Sequence, residues 1–363
     1  FDDFFNKYFL AQFASNTPAI HDNLPRLRSK LKLYFNSGKW SPAHDHLNEL
    51  VLKKMTDIVV GRGGQLDSTS KFNAMLALGE LSEGSSGEGA KPKPWDKPFS
   101  ILLGALKSAK TLDYVKMAAL VGLERYAAAG AIPQSKIADV TKTMVELVKQ
   151  QEPPSDRDLA AHNWMRRSAG QILASLGNPG PDNSVVSALT SVIIDPKTRP
   201  SVRCDMVQCL GQLRYPPGAK VDFQSLANSV GHETLEICKH ELESAKAAHR
   251  APSRRLLSFV LGSALLGLEG SDGKGGLLAA AAATPDNQKF IETLRGKVKT
   301  LSTSLEDSEL PEGSPDFEVL KDLESALVPV PAAKAEKQAA VPAAAGPEAA
   351  AAHAAAGATK VGS

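Results

Sequence analysis

MRRSAGQILASLG, residues 165–177, decides how the rest of the chain reads. It opens on an apolar residue and two cations, sets Ala169 and Leu173 four apart, and closes on Gly177. Each helical residue turns about 100°, so positions four apart return to within about 40° and share a face. The same order recurs in SKFNAMLALGEL from Ser70, VKMAALVGLERY from Val115 and VRCDMVQCLGQLRY from Val202. Their face pairs are Ala74/Leu78, Ala119/Leu123 and Met206/Leu210, and each segment carries an early cation: Lys71, Lys116, Arg166 or Arg203. Ala74 to Ala119 is 45 residues, Ala119 to Ala169 is 50, and Ala169 to Met206 is 37. A looser fifth copy, RRLLSFVLGSALLGL, starts at Arg254.

Each copy is preceded by another helix-length segment, at about 42–60, 98–109, 133–150, 182–194 and 222–247. Pro42, Pro98, Pro133, Pro181, Pro200 and Pro252 stand where helical patterns begin, where a missing N–H costs no helical bond. Ser41 and Thr111 are candidate N-caps. Gly61, Gly84, Gly130, Gly177 and Gly270 follow helical stretches as C-terminal stops. Pairing the segments predicts an all-α chain of about five helical hairpins between residues 41 and 270. A lone hairpin cannot bury its apolar face, so neighbours must stack to complete a core.

The spacing scatters around the roughly 40–47 residues of HEAT and armadillo arrays. The second segments resemble second helices of HEAT repeats, in which a small-residue helix follows an Asp-containing turn and an early cation. Asp67, Asp113 and Asp195 precede Lys71, Lys116 and Arg203 in that manner, while Asp158 stands further from Arg166. The stretches FDDFFNKYF, AHDHLNELVL and KFNAMLALGEL together resemble uncharacterised bacterial HEAT-repeat proteins. The resemblance covers residues 1–270. It implies an α-solenoid and a scaffold role, and it transfers no catalytic residue. It also implies an export signal ahead of Phe1, since removed, and with it an extracytoplasmic location.

Residues 1–40 are rich in aromatics, with Phe1, Phe5 and Phe9 on one helical face, and read as a helical cap over the first repeat. Residues 84–97 form a polar, Pro-containing insertion whose Trp95 is either a clasp on the array or a recognition residue. Residues 271–327 hold two further amphipathic helices. The first, near 285–307, carries a stripe of Phe290, Leu294, Val298 and Leu301, and the second, near 315–327, carries Phe317, Leu320, Leu323 and Leu327. Residues 328–363 are Ala/Pro-rich and offer little to offset ordering entropy, so a disordered tail is expected.

Composition limits the function classes. Lys plus Arg is 42 and Asp plus Glu is 40, a near-balance that argues against a general nucleic-acid binder while leaving room for one basic face. Aromatics are 6% and hydrophobics 42%, so the core is largely aliphatic and Ala, which suits close helix packing. The most apolar stretch, Leu256 to Leu268, is interrupted by Ser258, Gly262, Ser263 and Gly267 and is too short to span a membrane.

Candidate chemical sites fail on spacing. His44 and His46 are two apart, about 200° around a helix, so their rings diverge and the pair reads as a solvated first turn. Cys204 and Cys209 diverge similarly, and with Cys238 they read as buried thiols rather than as ligands beside His232 and His240. GRGG at 61–64 and GSDGKGG at 270–276 lack the Lys followed by Ser or Thr of a phosphate loop. No catalytic arrangement or cofactor motif emerges.

The candidate partner-binding residues are therefore Lys71, Lys116, Arg166 and Arg203, with Arg167 beside them, which stacking would align, and Trp95. Their structural role would be pairing with Asp67, Asp113 and Asp195 or with exposed carbonyls. Arg250, Arg254 and Arg255 form a smaller basic cluster. The expected function is a non-enzymatic scaffold or protein–protein interaction module that holds a protein or peptide. The alternative is a polyanion binder that uses the cation row.

Overall fold

The computed structural model describes residues 1–37, 42–62, 64, 66–84, 92–271, 275–307 and 318–329. Among these the chain is all-α, and its only β-type pairing is an isolated bridge between Ser82 and Pro94. Phe1–Leu327 form one compact unit. The second unit, from Val328, coincides with the expected tail and lies outside the described residues except for Val328 and Pro329.

After a π-helical turn at Phe4–Phe9 and a 3-10 turn at Leu10–Ala14 come α1 (Pro18–His21) and α2 (Leu24–Ser37). The five expected hairpins follow in order. They are α3 (Pro42–Val60) with α4 (Ser68–Glu80), α5 (Phe99–Lys107) with α6 (Asp113–Ala128), and α7 (Ile137–Lys149) with α8 (Leu159–Leu176). The last two are α9 (Ser184–Ile193) with α10 (Pro200–Gln212) and α11 (Phe223–Ala247) with α12 (Arg254–Glu269). The chain then forms α13 (Gly276–Ala280), α14 (Pro285–Asp307) and α15 (Glu318–Ser325).

Local chemistry sets the helix ends. The Asp67 carboxylate accepts the Ser70 N–H at 2.8 Å, Asp158 accepts those of Ala160 and Ala161 at 2.8 and 3.1 Å, and Asp222 accepts that of Ser225 at 2.9 Å. Each cap contributes roughly 1 kcal/mol by satisfying an orphan donor. Thr111 does not cap α6. The position before that helix is Leu112, which makes no side-chain cap bond. Ser41 lies outside the described residues. Gly177 ends α8 at φ 68°, a left-handed conformation that glycine adopts without penalty. Gly84 terminates nothing, because α4 already ends at Glu80.

Each second helix packs on its own first helix and on the second helices before and after it, in the succession α4–α6–α8–α10–α12. This explains why its apolar pattern is broad. In α10 every residue from Val202 to Val207 is buried. The first helix α7 instead buries one stripe, Val140, Met144 and Val148, at intervals of four. Small residues let the second helices approach closely: a Cβ built on Gly79 of α4 would stand 2.8 Å from the Gly122 Cα of α6.

The amino-terminal residues and α2 pack on α3 and α4, which covers the first hairpin. Phe5, Phe9 and Phe13 are buried, whereas Phe1, Phe4 and Tyr8 remain exposed, because the chain there follows π and 3-10 turns. At the other end α14 packs on α12 and α11, and α15 on α11 and α14. The buried stripe of α14 is Ile291, Leu294, Val298, Leu301 and Leu305. Phe290, expected in that stripe, is half-buried beside it, and Phe317 lies outside the described residues. No described helix is long and apolar enough to cross a membrane.

Candidate functional site

The structure separates the aligned cations into interior and accessible groups. Arg166 is 2% exposed. Its Nε donates to the Val148 carbonyl at 3.0 Å and its Nη1 to Thr198 Oγ1 at 3.0 Å. Thr198 in turn donates to Asp195 at 2.7 Å, so Arg166 ties α7 to the turn of the next hairpin. Arg203, 5% exposed, pairs with Glu233 of α11 at 2.8 Å. Arg167 is half-exposed on one side and pairs with the buried Asp205 of α10 at 2.8 Å. Arg166 and Arg203 thus present no charge to solvent, and Lys71 and Lys116, both half-buried, do.

The turn carboxylates choose partners other than those expected. Asp67 caps α4 and pairs with His21 at 2.6 Å, not with Lys71. Asp113 pairs with Arg157, and Asp195 serves Thr198 and the Lys197 N–H. The reason is geometric. Asp113 lies where its turn meets the next hairpin and takes its cation from there, whereas Asp195 is spent within its own turn and Asp67 meets His21 of the amino-terminal segment. Asp113 and Arg157 are 44 residues apart, close to one repeat. That spacing is the signal that could have revealed Arg157, and sequence reading within one hairpin passes over it.

Trp95 lies half-buried against the core. Its carbonyl accepts the Tyr126 hydroxyl, its N–H donates to the Leu81 carbonyl at 3.2 Å, and the Lys97 ammonium lies 5.0 Å from its ring centroid. Arg125 Nη1 donates to the carbonyls of Gly79 and Leu81 at 2.8 and 2.9 Å, which ties α6 to the end of α4, while the Tyr126 bond holds the returning arm of the insertion. Residues 85–91 of that insertion lie outside the described residues.

The histidine and cysteine readings resolve in the same way. His44 is 4% exposed against Phe35, not part of a solvated turn, because α2 covers the start of α3. His46 is exposed and pairs with Asp2. Cys204, Cys209 and Cys238 are free and buried, and burial pushes each thiol up to about 12, which suppresses thiolate chemistry. Among the described residues no three His, Cys, Asp or Glu side chains converge to hold a metal. In the basic cluster, Arg250 forms a two-pronged pair with Glu241 at 2.7 and 3.3 Å.

Compared with models of known protein families, with curated proteins and with solved structures, this chain finds no match.

One accessible feature combines charge with shape. A half-open cavity of about 460 Å³ lies where the turns of the second and third hairpins meet. Its walls come from the end of α5 (Leu106, Lys107), the first turn of α6 (Lys116), α7 with the residue after it (Thr143, Glu146, Leu147, Gln150), Arg157 of the following loop and Met165 of α8. Lys107 is committed to Asp139 at 2.7 Å. Arg157 grips Asp113 through Nε and Nη2 at 2.7 and 2.9 Å, and that hydrogen-bonded pairing holds the Asp113 carboxyl below its ordinary range. Lys116 and Glu146 make no side-chain hydrogen bond or ion pair among the described residues, and the Lys116 charge reaches Asp113 across the cavity wall.

His162 braces Arg157 from behind. It is 0% exposed, its Nε2 donates to the Gln150 carbonyl at 2.7 Å, and its Nδ1 accepts from Arg157 at 3.1 Å. Those partners define the neutral tautomer. Burial, with Arg157 close by, lowers its pKa from the ordinary 6.5. Below that value the unfolded chain binds a proton that the native chain refuses, so stability falls as pH falls. Between pH 7 and 5 the wild-type protein should lose unfolding free energy by up to about 1.4 kcal/mol per pH unit. Urea unfolding of His162→Gln should show a shallower acid loss, and equal slopes would refute the assignment.

Proposed function

We propose that this chain is a non-enzymatic scaffold, an α-solenoid of HEAT-like hairpins that holds a protein or peptide partner. The observation that supports this reading is the unbroken succession of second helices from α4 to α12, each packed on the next. Such an array extends a surface along one axis, and its side-chain chemistry goes into joining neighbours. The buried cations fit the same reading: Arg166 and Arg203 link hairpins, so they add nothing to a row that could grip a polyanion.

Affinity capture with crosslinking from the native source tests the proposal. The expected result is a stoichiometric protein partner crosslinked to residues of the hairpins. Repeated recovery of the chain alone under mild conditions would overturn it. A nucleic-acid titration whose affinity falls steeply with salt would instead favour the polyanion alternative.

A further inference from the structure

We infer that the cavity between the second and third hairpins seats an acidic–aliphatic segment of the partner, with one carboxylate on Lys116. This inference rests on the scaffold reading and specifies its chemistry.

The lining decides the charge of the occupant. Two of the three cations are spent, Lys107 on Asp139 and Arg157 on Asp113. Lys116, half-buried at the cavity wall, makes no ion pair within 4 Å among the described residues, although its charge reaches Asp113 and helps to hold that carboxyl low. It also sits in the first turn of α6, where the positive end of the helix adds to its field. A carboxylate is the complementary group, because it accepts from the ammonium and settles at the same positive end.

The lining also decides what accompanies the charge. Leu106 and Met165 are 9% and 1% exposed, and with the half-buried Leu147 they give the cavity an aliphatic wall. A volume of about 460 Å³ suits a few side chains rather than a folded domain. Glu146 is exposed at the same cavity and repels a second nearby anion, which disfavours nucleic acid and selects a single, spaced negative charge. Arg157, with a side chain 6% exposed and fixed by Asp113 and His162, makes the wall rigid before any ligand arrives.

Fluorescence anisotropy with a fluorescein-labelled peptide about eight residues long, in which a single Glu is flanked by Leu, tests the inference on the full chain. Binding to the wild type is expected, with affinity about tenfold lower for Lys116→Gln and retained for Lys116→Arg. A matching Gln/Leu peptide should bind as weakly as the Glu/Leu peptide binds Lys116→Gln. Among the described residues Lys116 makes no side-chain hydrogen bond, and Lys116→Arg keeps the charge that reaches Asp113, so melting temperatures of both variants separate folding loss from binding loss. Failure of the acidic peptide to bind the wild type, or equal binding to Lys116→Gln, would overturn the inference. Capture of an intact partner by Lys116→Gln at wild-type stoichiometry would also overturn it while leaving the scaffold reading standing. Absence of any partner for the wild type would sink the scaffold reading instead.

Discussion

Replacing Arg203 with alanine is expected to destabilise the protein by about 3–5 kcal/mol at about pH 9, where Glu233 is ionised, the cost of stranding one member of a buried ion pair. The side chains of Arg203 and Glu233 are 6% and 4% exposed, and they meet at 2.8 Å between α10 and α11. Glu236, half-exposed at 3.8 Å from the same guanidinium, is too distant and too solvated to replace that contact. Burial pushes Glu233 up to about 8, and Arg203 opposes that rise only in part. Without Arg203 the native carboxyl keeps its proton to higher pH than the unfolded chain does. The native state then binds more protons across that window, so its stability falls as pH rises. The loss caused by Arg203→Ala should therefore be smaller at pH 5 than at pH 9, measured by denaturant unfolding. A second variant separates charge from packing. Arg203 Nε and Glu233 Oε1 have no hydrogen-bond partner, so the pair is incompletely satisfied. The double variant Arg203→Met/Glu233→Leu should recover most of the lost stability. A single-variant loss below about 1 kcal/mol would show that the pair is solvated in solution.

The second large effect is expected at Gly211. A Cβ there would stand 2.5 Å from the Leu266 carbonyl oxygen and 2.7 Å from both the Cα and the carbonyl oxygen of Gly267. All three obstacles are backbone of α12, so no rotamer change relieves them, and α10 and α12 must separate. Overpacking of this kind costs about 1–3 kcal/mol, and Gly211→Ala should lie at the upper end because the contact is helix against helix. Gly104→Ala is the control. Gly104 lies within α5 with nothing near its missing Cβ, so alanine there should raise stability by roughly 0.5–1 kcal/mol through reduced chain entropy. Calorimetric melting of the two variants should move in opposite directions. A neutral Gly211→Ala would refute the close approach of α10 and α12.

Both predictions concern contacts between hairpins, and that is where sequence reading ran out. Some helix ends were legible because their causes lie within a few residues: Pro200 at the start of α10, Gly177 and Gly270 at the ends of α8 and α12. The caps Asp67, Asp158 and Asp222 were not, and Thr111, read as one, caps nothing. The order of the helices was legible because small-residue second segments recur at intervals of 45, 50 and 37 residues, each after another helix-length segment. Lys71, Lys116, Arg166 and Arg203 were legible as a recurring position but not as a common environment. Two of them are interior and two reach solvent. His44 was misplaced because α2 returns over it from outside the repeat pattern. The cavity was not legible at all: its walls draw on α5, α6, α7, α8 and the loop between the last two.

The sequence by itself determined that this protein is all-α and where several of its helices begin and end, because breakers and the four-residue apolar interval act locally. Only the tertiary structure decided what each charge does. Asp113 meets Arg157 and Arg203 meets Glu233 across a stacking boundary, with partners 44 and 30 residues away in the chain. A charge is buried, spent or free according to the partner that packing delivers, and that partner is written in another repeat.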